Sequence, residues 1–450
     1  MAIVHFRRLV LSSLFVAGSC LPVAAQGPVV SPPSSALVAN QMEQLPEAPS
    51  IVATDALPQY HLSLEEAKSR ALQSSIVMDL ASTQVAAKSH ALGAASKDFL
   101  PKLLNSFAYY HFDSDLGTVV TTPGIVNPAT SFAVPVVEQD SSIYTAAAIQ
   151  PITPLLKVRA AVDIGQADVG VAQAQRQFAR RELTKGAEQL YIGLFFARKI
   201  KGGLESAAAG AKQMVDATQA SAAKMSLIEL QQNLVTVNNQ CEVLQVQLTQ
   251  LTGLPPCTEI VLQEPPWPQN PFGCADDVIG AAVASSPKIT EARMQAEKAA
   301  GAVRLANADF VPSVNAYGFY VNQTATQTIQ DGFTGVGVSA SYLLEWGKKN
   351  DTLRQWKATE VLARQALQKE MQDLQLNAIK AFNEVHRTEQ VLGYANQLAQ
   401  LNRDAKMPTD PFQLKFAIKD RLESELGAIK ADLDYRNAIV EVRSIAGYSE

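Results

Sequence analysis

The 450-residue sequence has few of the residues that most chemistry requires. It contains five histidines and four cysteines, and 18% of its residues are charged. The histidines and cysteines do not have the spacing of a zinc ligand set. The chain also lacks a phosphate-binding loop and the Gly-x-Ser-x-Gly elbow of a hydrolase. Its paired acids, Glu65–Glu66 and Asp276–Asp277, stand at predicted helix starts, where negative charge suits the helix dipole. The sequence therefore predicts no catalytic residues, no cofactor and no metal.

Positive charge is scarce as well. The formal net charge is −5, and the basic residues are not gathered along any one predicted helix or strand. A nucleic-acid partner would need a basic face, so this class is excluded. Hydrophobic residues make up 47% of the chain, which excludes a largely disordered protein.

Long apolar runs are missing, and the first 25 residues instead predict a signal peptide. Arg7 and Arg8 precede a short apolar run over residues 9–17, and residues 23–25 (Val-Ala-Ala) form a small-residue cleavage site. A membrane anchor is the weaker interpretation because this run is too short to span a bilayer. Cys20 follows Ala-Gly-Ser, which loosely matches a lipoprotein box without its usual leucine, so lipidation stays an alternative.

Two of the other three cysteines lie around one proline-rich linker. Cys257 and Cys274 flank this linker, and an exported protein could oxidise them to a disulfide. This pairing is a hypothesis. Cys241 falls in an apolar helical seam, where a small buried residue is the simpler interpretation.

The chain is internally duplicated. Residues 98–101 (Asp-Phe-Leu-Pro) and 309–312 (Asp-Phe-Val-Pro) stand 211 positions apart, and segment 64–109 aligns with segment 275–320 without a gap. Proline disfavours helix at the preceding residue, so each motif predicts a helix-to-strand junction. The predicted organisation is then as follows: signal peptide 1–25, Pro/Ser-rich leader 26–60, first repeat 61–253, linker 254–275 and second repeat 276–450.

Each repeat predicts the same series of elements. The first repeat predicts a helix over 63–98, strands over 103–112 and 141–151 around an exposed loop at 113–140, and a helix from 155 to 220 weakened at Gly202–Gly203. The second repeat predicts strands over 313–323 and 333–344 and a long helix from 348. A returning helix follows each long one, and the first carries a heptad seam of apolar residues: Leu227, Leu230, Leu234, Val237, Cys241, Leu244, Leu248 and Leu251.

Four strands in an exported chain cannot close a barrel. Open strand edges are not tolerated in lipid. If these strands enter a membrane, several subunits must contribute their strands to one barrel. The helices of these subunits must then surround the axis of that barrel. The predicted fold is therefore mainly α: long coiled-coil hairpins, with four strands per chain contributed to a shared membrane β-barrel.

Four segments resemble the TolC-like outer-membrane efflux family. They are residues 62–67 (Leu-Ser-Leu-Glu-Glu-Ala), the two Phe-x-Pro junctions, residues 342–349 (Tyr-Leu-Leu-Glu-Trp-Gly-Lys-Lys) and residues 251–255 (Leu-Thr-Gly-Leu-Pro). The resemblance implies a homotrimer in the outer membrane, with a twelve-stranded barrel in contact with lipid and a large periplasmic helical tunnel. It also implies a passive exit duct for efflux or type I secretion, coupled through a periplasmic adaptor to an inner-membrane transporter.

The resemblance further suggests an acidic entrance near the helical tips. The residues at the matching positions are Glu229 and Asp410, and ordinary solvated charge is the competing interpretation. Two other functions stay open. A periplasmic adaptor would need an all-β module between its hairpin halves, and a coiled-coil scaffold would not need the strands or the duplication.

Overall fold

The structure is a computed structural model, and it describes most of the chain from residue 59 onward. The described ranges are 59–114, 116–121, 131–218, 221–256, 258–325, 330–405 and 411–448. The predicted signal peptide, Cys20, nearly all of the leader, Cys257 and Asp410 lie outside these ranges.

Helices dominate the described residues, and eight strands accompany them. The strands are β1 (Gln59–Leu62), β2 (Lys102–His111), β3 (Leu116–Thr121), β4 (Ser131–Val137), β5 (Asp140–Pro151), β6 (Glu259–Leu262), β7 (Ser313–Gln323) and β8 (Gly332–Ser341). The helices are α1 (Leu64–Ser74), α2 (Ile76–Lys97), α3 (Leu155–Thr218), α4 (Ser221–Thr252), α5 (Ala275–Ser285), α6 (Pro287–Ala308), α7 (Lys348–Asp404) and α8 (Pro411–Ala446).

The predicted helix over 63–98 is wrong in one respect, because it is broken at Ser75. Ser75 has an extended backbone, and its side chain accepts a hydrogen bond from the Val77 amide, so one helix ends and a capped one begins. Ser286 breaks the second repeat in the same way and caps Ile289. Helices α1 and α5 have 11 residues each, and α2 and α6 have 22 each, so these helices have equal lengths in the two halves of the chain.

Helix α3 runs for 64 residues, which is about 96 Å at 1.5 Å per residue. It continues through the two glycines that the sequence marked as weak. Helix α4 packs back against α3, where Cys241 and Leu248 of the predicted seam lie in one core with Tyr191 and Leu194. The Tyr191 hydroxyl donates to the carbonyls of Leu62 and Gln263 at 2.9 and 2.8 Å, which ties this core to the ends of β1 and β6.

The second repeat is built in the same way. Helix α7 has 57 residues, about 86 Å, and α8 returns along it. Phe382 and Val385 of α7 pack on Ile439 and Val442 of α8. Pro411 begins α8, a position that proline tolerates because the first helical amide needs no partner. Helix α8 also contacts α3, so the helices adjoin in the order α4, α3, α8, α7.

The four predicted strands form one antiparallel sheet in the order β2-β5-β7-β8. Strands β5 and β7 pair the two repeats at its centre. The prediction of a loop over 113–140 is wrong, because β3 and β4 pair there as an antiparallel hairpin. The sequence does contain β-branched runs at these positions, a strand signal outweighed in the prediction by the surrounding Gly, Pro and Asn. A second addition is the parallel pair β1–β6 at the leader and linker.

No helix of the described residues combines the length and the apolar character needed to cross a membrane.

Candidate functional site

The four-stranded sheet has one face that is apolar over its whole central part. Register places Leu103 opposite Ala148, Ala148 opposite Gly318, and Gly318 opposite Val336. Val336 is 92% exposed and Leu103 is 81% exposed. The residues of this apolar face are Leu103, Phe107 and Tyr109 of β2, Tyr144, Ala146 and Ala148 of β5, Val314, Ala316, Gly318 and Tyr320 of β7, and Val336, Val338 and Ala340 of β8, with Asn105 among them.

The opposite face mixes polar and apolar side chains, and we call it the mixed face. It carries Ser106, Thr145, Asn315 and Ser339 in the central part of the strands. On β8 the contrast between faces is clear from residue 335 to residue 341, where glycine and serine alternate with Val336, Val338 and Ala340. Alternation of this kind is typical of a strand between lipid and water.

Aromatic rings cover two glycines on the mixed face. A Cβ atom at Gly337 would lie 2.7 Å from the Tyr317 ring, and one at Gly335 would collide with the Phe319 ring. The Tyr317 and Phe319 rings stack with their centroids 6.1 Å apart. Glycine is required at both positions because any side chain would displace these rings.

A diagonal row of tyrosines ends the apolar face at its far end, away from the helices. Tyr109, Tyr144 and Tyr320 belong to three adjacent strands, and the Tyr144 and Tyr320 ring centroids are 6.4 Å apart. The Tyr109 hydroxyl donates to Asp140 at 2.6 Å, and Asn322 donates to the Tyr320 hydroxyl at 3.2 Å. Such rings, apolar in body and hydrogen-bonded at the tip, favour the boundary between lipid and water.

The two Asp-Phe-x-Pro junctions lie at the near end of the sheet, where the helices begin. Asp98 pairs with Lys102 at 3.1 Å, and Asp309 pairs with Lys157 at 2.5 Å. The Thr153 hydroxyl accepts from the Val314 amide at 2.7 Å, which fixes the turn after β5 against the second junction. The contacts of Lys157 and Thr153 therefore join the start of α3 to the second junction.

The sheet has two open edges. Strands β2 and β8 each pair on one side only, and no other strand of the described ranges covers their outer sides. Each outer edge offers a row of backbone donors and acceptors that another strand can satisfy. The edge of β2 continues into α2, and the edge of β8 continues into α7.

Exposed apolar residues continue along the helices on the same two sides of the chain as these strand edges, and we call these two sides the flanks. On the β2 side they are Ile76 and Leu80 of α2 and Val235 and Val246 of α4. On the β8 side, α7 exposes a heptad seam made of Val391, Tyr394, Leu398 and Leu401. A seam with this spacing is typical of a helix that packs on another helix. The chain thus presents two different flanks, each with an open strand edge above and apolar helix faces below.

Of the two predicted entrance acids, the structure describes one. Glu229 is exposed on α4, about 12 Å from the start of that helix, on the side of the α3–α4 turn. Near the turn between α7 and α8, Arg403 pairs with Glu425 at 3.4 Å, and the Asn402 amide donates to the carbonyl of Asp420 at 3.3 Å. The two hairpin tips therefore lie at the end of the helices that is remote from the sheet.

An arginine clamp, which the sequence did not reveal, holds the linker to the second repeat. Arg436 is 5% exposed, and its guanidinium lies 4.9 Å from the Trp267 ring centroid and 5.3 Å from that of Phe196. It pairs with Asp432 at 2.9 Å and donates to the carbonyls of Pro265 and Pro266, both at 3.2 Å. The predicted cysteine pair is not placed by the structure, which describes only Cys274, exposed at the start of α5.

The shifted titratable groups outside the sheet have structural causes. Hydrogen bonds from Tyr60 and Arg70 lower the pKa of Glu66, and these contacts join β1 to α1. Burial raises the pKa of the Cys241 thiol, which keeps it protonated and unreactive. In the part of the chain that the structure describes, no group of His, Cys, Asp or Glu side chains is arranged to hold a metal ion.

We compared the chain with protein families, with curated proteins and with solved structures. Residues 278–407 match the model of the family described as outer membrane efflux protein. No curated protein matches the chain.

Several solved structures share its fold at low sequence identity. The outer membrane protein VceC from Vibrio cholerae is 16% identical, with a TM-score of 0.68 over 85% of this chain and 96% of that one. The MtrE outer membrane channel of Neisseria gonorrhoeae is 12% identical, with a TM-score of 0.70 over 88% and 93%. The CmeC outer membrane channel of Campylobacter jejuni is 14% identical, with a TM-score of 0.68 over 85% of each chain. Residues 278–407 therefore match the outer membrane efflux protein family, and the chain as a whole has the fold of these outer-membrane channels.

Proposed function

We propose that this chain is the outer-membrane exit duct of a tripartite efflux or type I secretion system. One observation carries the proposal: a four-stranded sheet with two open edges and an exposed apolar face stands on long helices whose flanks are unpartnered. A water-soluble chain would leave this surface exposed at a considerable cost in free energy. In a membrane, the apolar face lies against lipid and the edges pair with neighbouring copies.

Three copies satisfy these requirements in a closed ring. The outer edge of β8 pairs with the outer edge of β2 in the next copy, while α7 packs on α2 and α4 of that copy. The two flanks differ, so this interface is heterologous and closes by rotation. Three sheets of four strands give a twelve-stranded barrel. Strands of 10 to 12 residues match the length that a tilted strand needs to cross a bilayer.

The helices then project from the membrane into the periplasm. Helix α3 is about 96 Å long, some three times the thickness of a bilayer's hydrocarbon core. The tyrosine row marks the outer boundary of the membrane, and the Asp-Phe-x-Pro junctions mark the inner one. The tips of the hairpins face a periplasmic adaptor and, through it, an inner-membrane transporter that supplies the energy. The chain itself is a passive path and not an enzyme.

The competing functions account for less of the molecule. A periplasmic adaptor or a coiled-coil scaffold has no use for a sheet that is apolar on an exposed face. The domain division follows from the duplication: the matched helix lengths in both halves support repeats at 61–253 and 276–450, joined by the linker 254–275. A signal peptide over 1–25 fits export to this location, and a Cys257–Cys274 disulfide remains part of the proposal.

The reconstituted protein should conduct ions across a planar bilayer, with a preference for cations set by an acidic entrance. Glu229 and Asp410 from three copies would place six carboxylates around the periplasmic end. The double variant Glu229→Gln with Asp410→Asn should lower the ratio of cation to anion permeability, because rings of carboxylates attract cations. Reversal potentials under a salt gradient measure this ratio.

Glu242→Gln is the matched control for the entrance, because Glu242 is exposed on the same helix about 20 Å further from the tip. Its permeability ratio should equal that of the wild type. An unchanged ratio of cation to anion permeability in the double variant would mean that Glu229 and Asp410 are ordinary solvated charges. Absence of any conductance from inserted trimers would refute the exit duct itself.

A further inference from the structure

The apolar face contains a groove at its near end. The groove has a volume of about 500 Å³ and lies where small residues of the central strands meet the valines of β8. Its lining includes Pro101, Ala148, Ala316, Gly318, Val336 and Val338. Five of these six belong to the strands, and all five are on the face that the proposed function directs towards lipid. The surface of this groove is almost wholly apolar, so a hydrocarbon chain matches it.

The turn between β8 and α7 follows the strand whose valines line the groove. Gly347 adopts a left-handed backbone with φ of 83° and stands directly before α7. Trp346 is 96% exposed, and Leu343 and Leu344 beside it are also exposed. A soluble surface rarely presents three such residues together. Tryptophan in this setting is typical of the headgroup level of a membrane.

The turn also holds a lysine with spare hydrogen-bonding capacity. The Lys349 ammonium donates to the carbonyl of Leu343 at 2.8 Å and lies 4.3 Å from the Tyr342 ring centroid. Two of its three N–H donors are left for another acceptor. Lys348 is different, because Glu345 already neutralises it at 2.7 Å. Among the residues that the structure describes, no carboxylate pairs with Lys349, so the turn carries one positive charge available to a ligand.

We propose that the groove and this turn together form a binding site for an anionic phospholipid. One acyl chain occupies the groove, and the phosphate binds Lys349 while Trp346 lies among the headgroups. Tyr342 directly follows Ser341, the last residue of β8, so the turn and the strand that lines the groove are consecutive segments of the chain. The site is at the near end of the sheet, on the periplasmic leaflet, and each chain of the trimer carries one.

This inference rests on the proposed function, because it requires the apolar face to contact lipid. The test is quenching of Trp346 fluorescence in vesicles of phosphatidylcholine that contain a minor fraction of brominated lipid. The chain has three tryptophans, so a Trp267→Phe, Trp356→Phe background leaves Trp346 as the only one. Brominated phosphatidylglycerol should quench Trp346 at lower fractions than brominated phosphatidylcholine.

Lys349→Gln should reduce the preference for phosphatidylglycerol roughly five-fold, the effect of one lysine near an anionic headgroup. Ala316→Leu fills the groove and should weaken quenching by both lipids when bromine is on the acyl chain. Lys369→Gln removes the same charge from α7 about 30 Å further along the helix and should leave the preference unchanged.

Each outcome separates the two proposals. Trimers that insert and conduct, but whose Trp346 shows no lipid preference or keeps it in Lys349→Gln, would overturn the phospholipid site alone. If no brominated lipid quenches the fluorescence of Trp346, a neighbouring subunit covers the turn, and this result also overturns the site. Protein that never enters the vesicles would instead refute the exit duct.

Discussion

Val338→Arg should remove most of the protein from the outer membrane, whereas Ser339→Arg at the next position should leave it there. Val338 is on the apolar face of β8 and Ser339 is on the mixed face. An arginine facing lipid costs up to about 2–4 kcal/mol, more the deeper it lies in the bilayer, and little in a watery lumen. Three copies of the substitution enter each trimer. The yield of assembled trimer in the outer-membrane fraction measures the effect.

The pair isolates the contribution of the membrane, because both side chains are exposed in the single chain. If the sheet were on the surface of a soluble protein, the two arginines would be tolerated equally well. Equal trimer yields would therefore contradict the assignment of the apolar face to lipid. Loss of both variants would point to a defect in the strand itself. Val338→Leu, which keeps the position apolar, should assemble as the wild type does unless the strand tolerates no change there.

Arg436→Ala should be the most destabilising change in the helical part of the molecule. Its removal leaves Asp432 half-buried without its partner and deprives the carbonyls of Pro265 and Pro266 of a donor. Breaking a buried pair from one side costs about 3–5 kcal/mol. The lost packing against Trp267 and Phe196 adds to this cost. Thermal unfolding of the detergent-solubilised protein, followed by helical circular dichroism, gives the change in stability.

Arg443→Ala provides the matched control for the clamp. Arg443 is on the same helix and also donates to a linker carbonyl, that of Gln269 at 3.0 Å, but at an exposed position. Its loss should cost about 1 kcal/mol or less. Similar melting temperatures for the two variants would show that the buried stacking of Arg436 contributes little.

The sequence predicted the elements whose signals are periodic or repeated. The four strands of the sheet, both long hairpins and the seam through Cys241 and Leu248 were all visible as periods of two or seven. The junctions at Pro101 and Pro312 were visible because proline restricts its neighbours in a known way. Two copies of one pattern made each interpretation stronger than either copy alone.

The features that the sequence did not reveal have weak local signals or depend on contacts between distant segments. The breaks at Ser75 and Ser286 had a local signal, a serine cap, but the apolar pattern continues across both. Arg436 looked like an ordinary charge on a helix, although an arginine among the apolar residues of α8 could have suggested a buried partner. Its partners in the linker are about 170 residues earlier in the chain.

The candidate site was predicted only in outline. Alternation on β8 separated the valines from the glycines and serines, which identified the two faces of that strand. The tyrosine row needed the register of three strands, because the 211-residue offset of the repeats relates Tyr109 to Tyr320 but does not place Tyr144 beside them. The groove near Ala316 and Gly318 likewise needed the sheet order, since its lining comes from both repeats. Glu229 and Asp410 remain predictions.

The native mass of protein extracted with detergent from an outer-membrane fraction tests the central claim most directly. We expect the mass of three chains, stable in detergent and reduced to single chains only by boiling, because twelve strands close the sheet and remove every open edge. A monomer or dimer that leaves the membrane fraction in water without detergent would contradict the account. The sheet would then be a surface feature of a scaffold rather than part of a shared barrel.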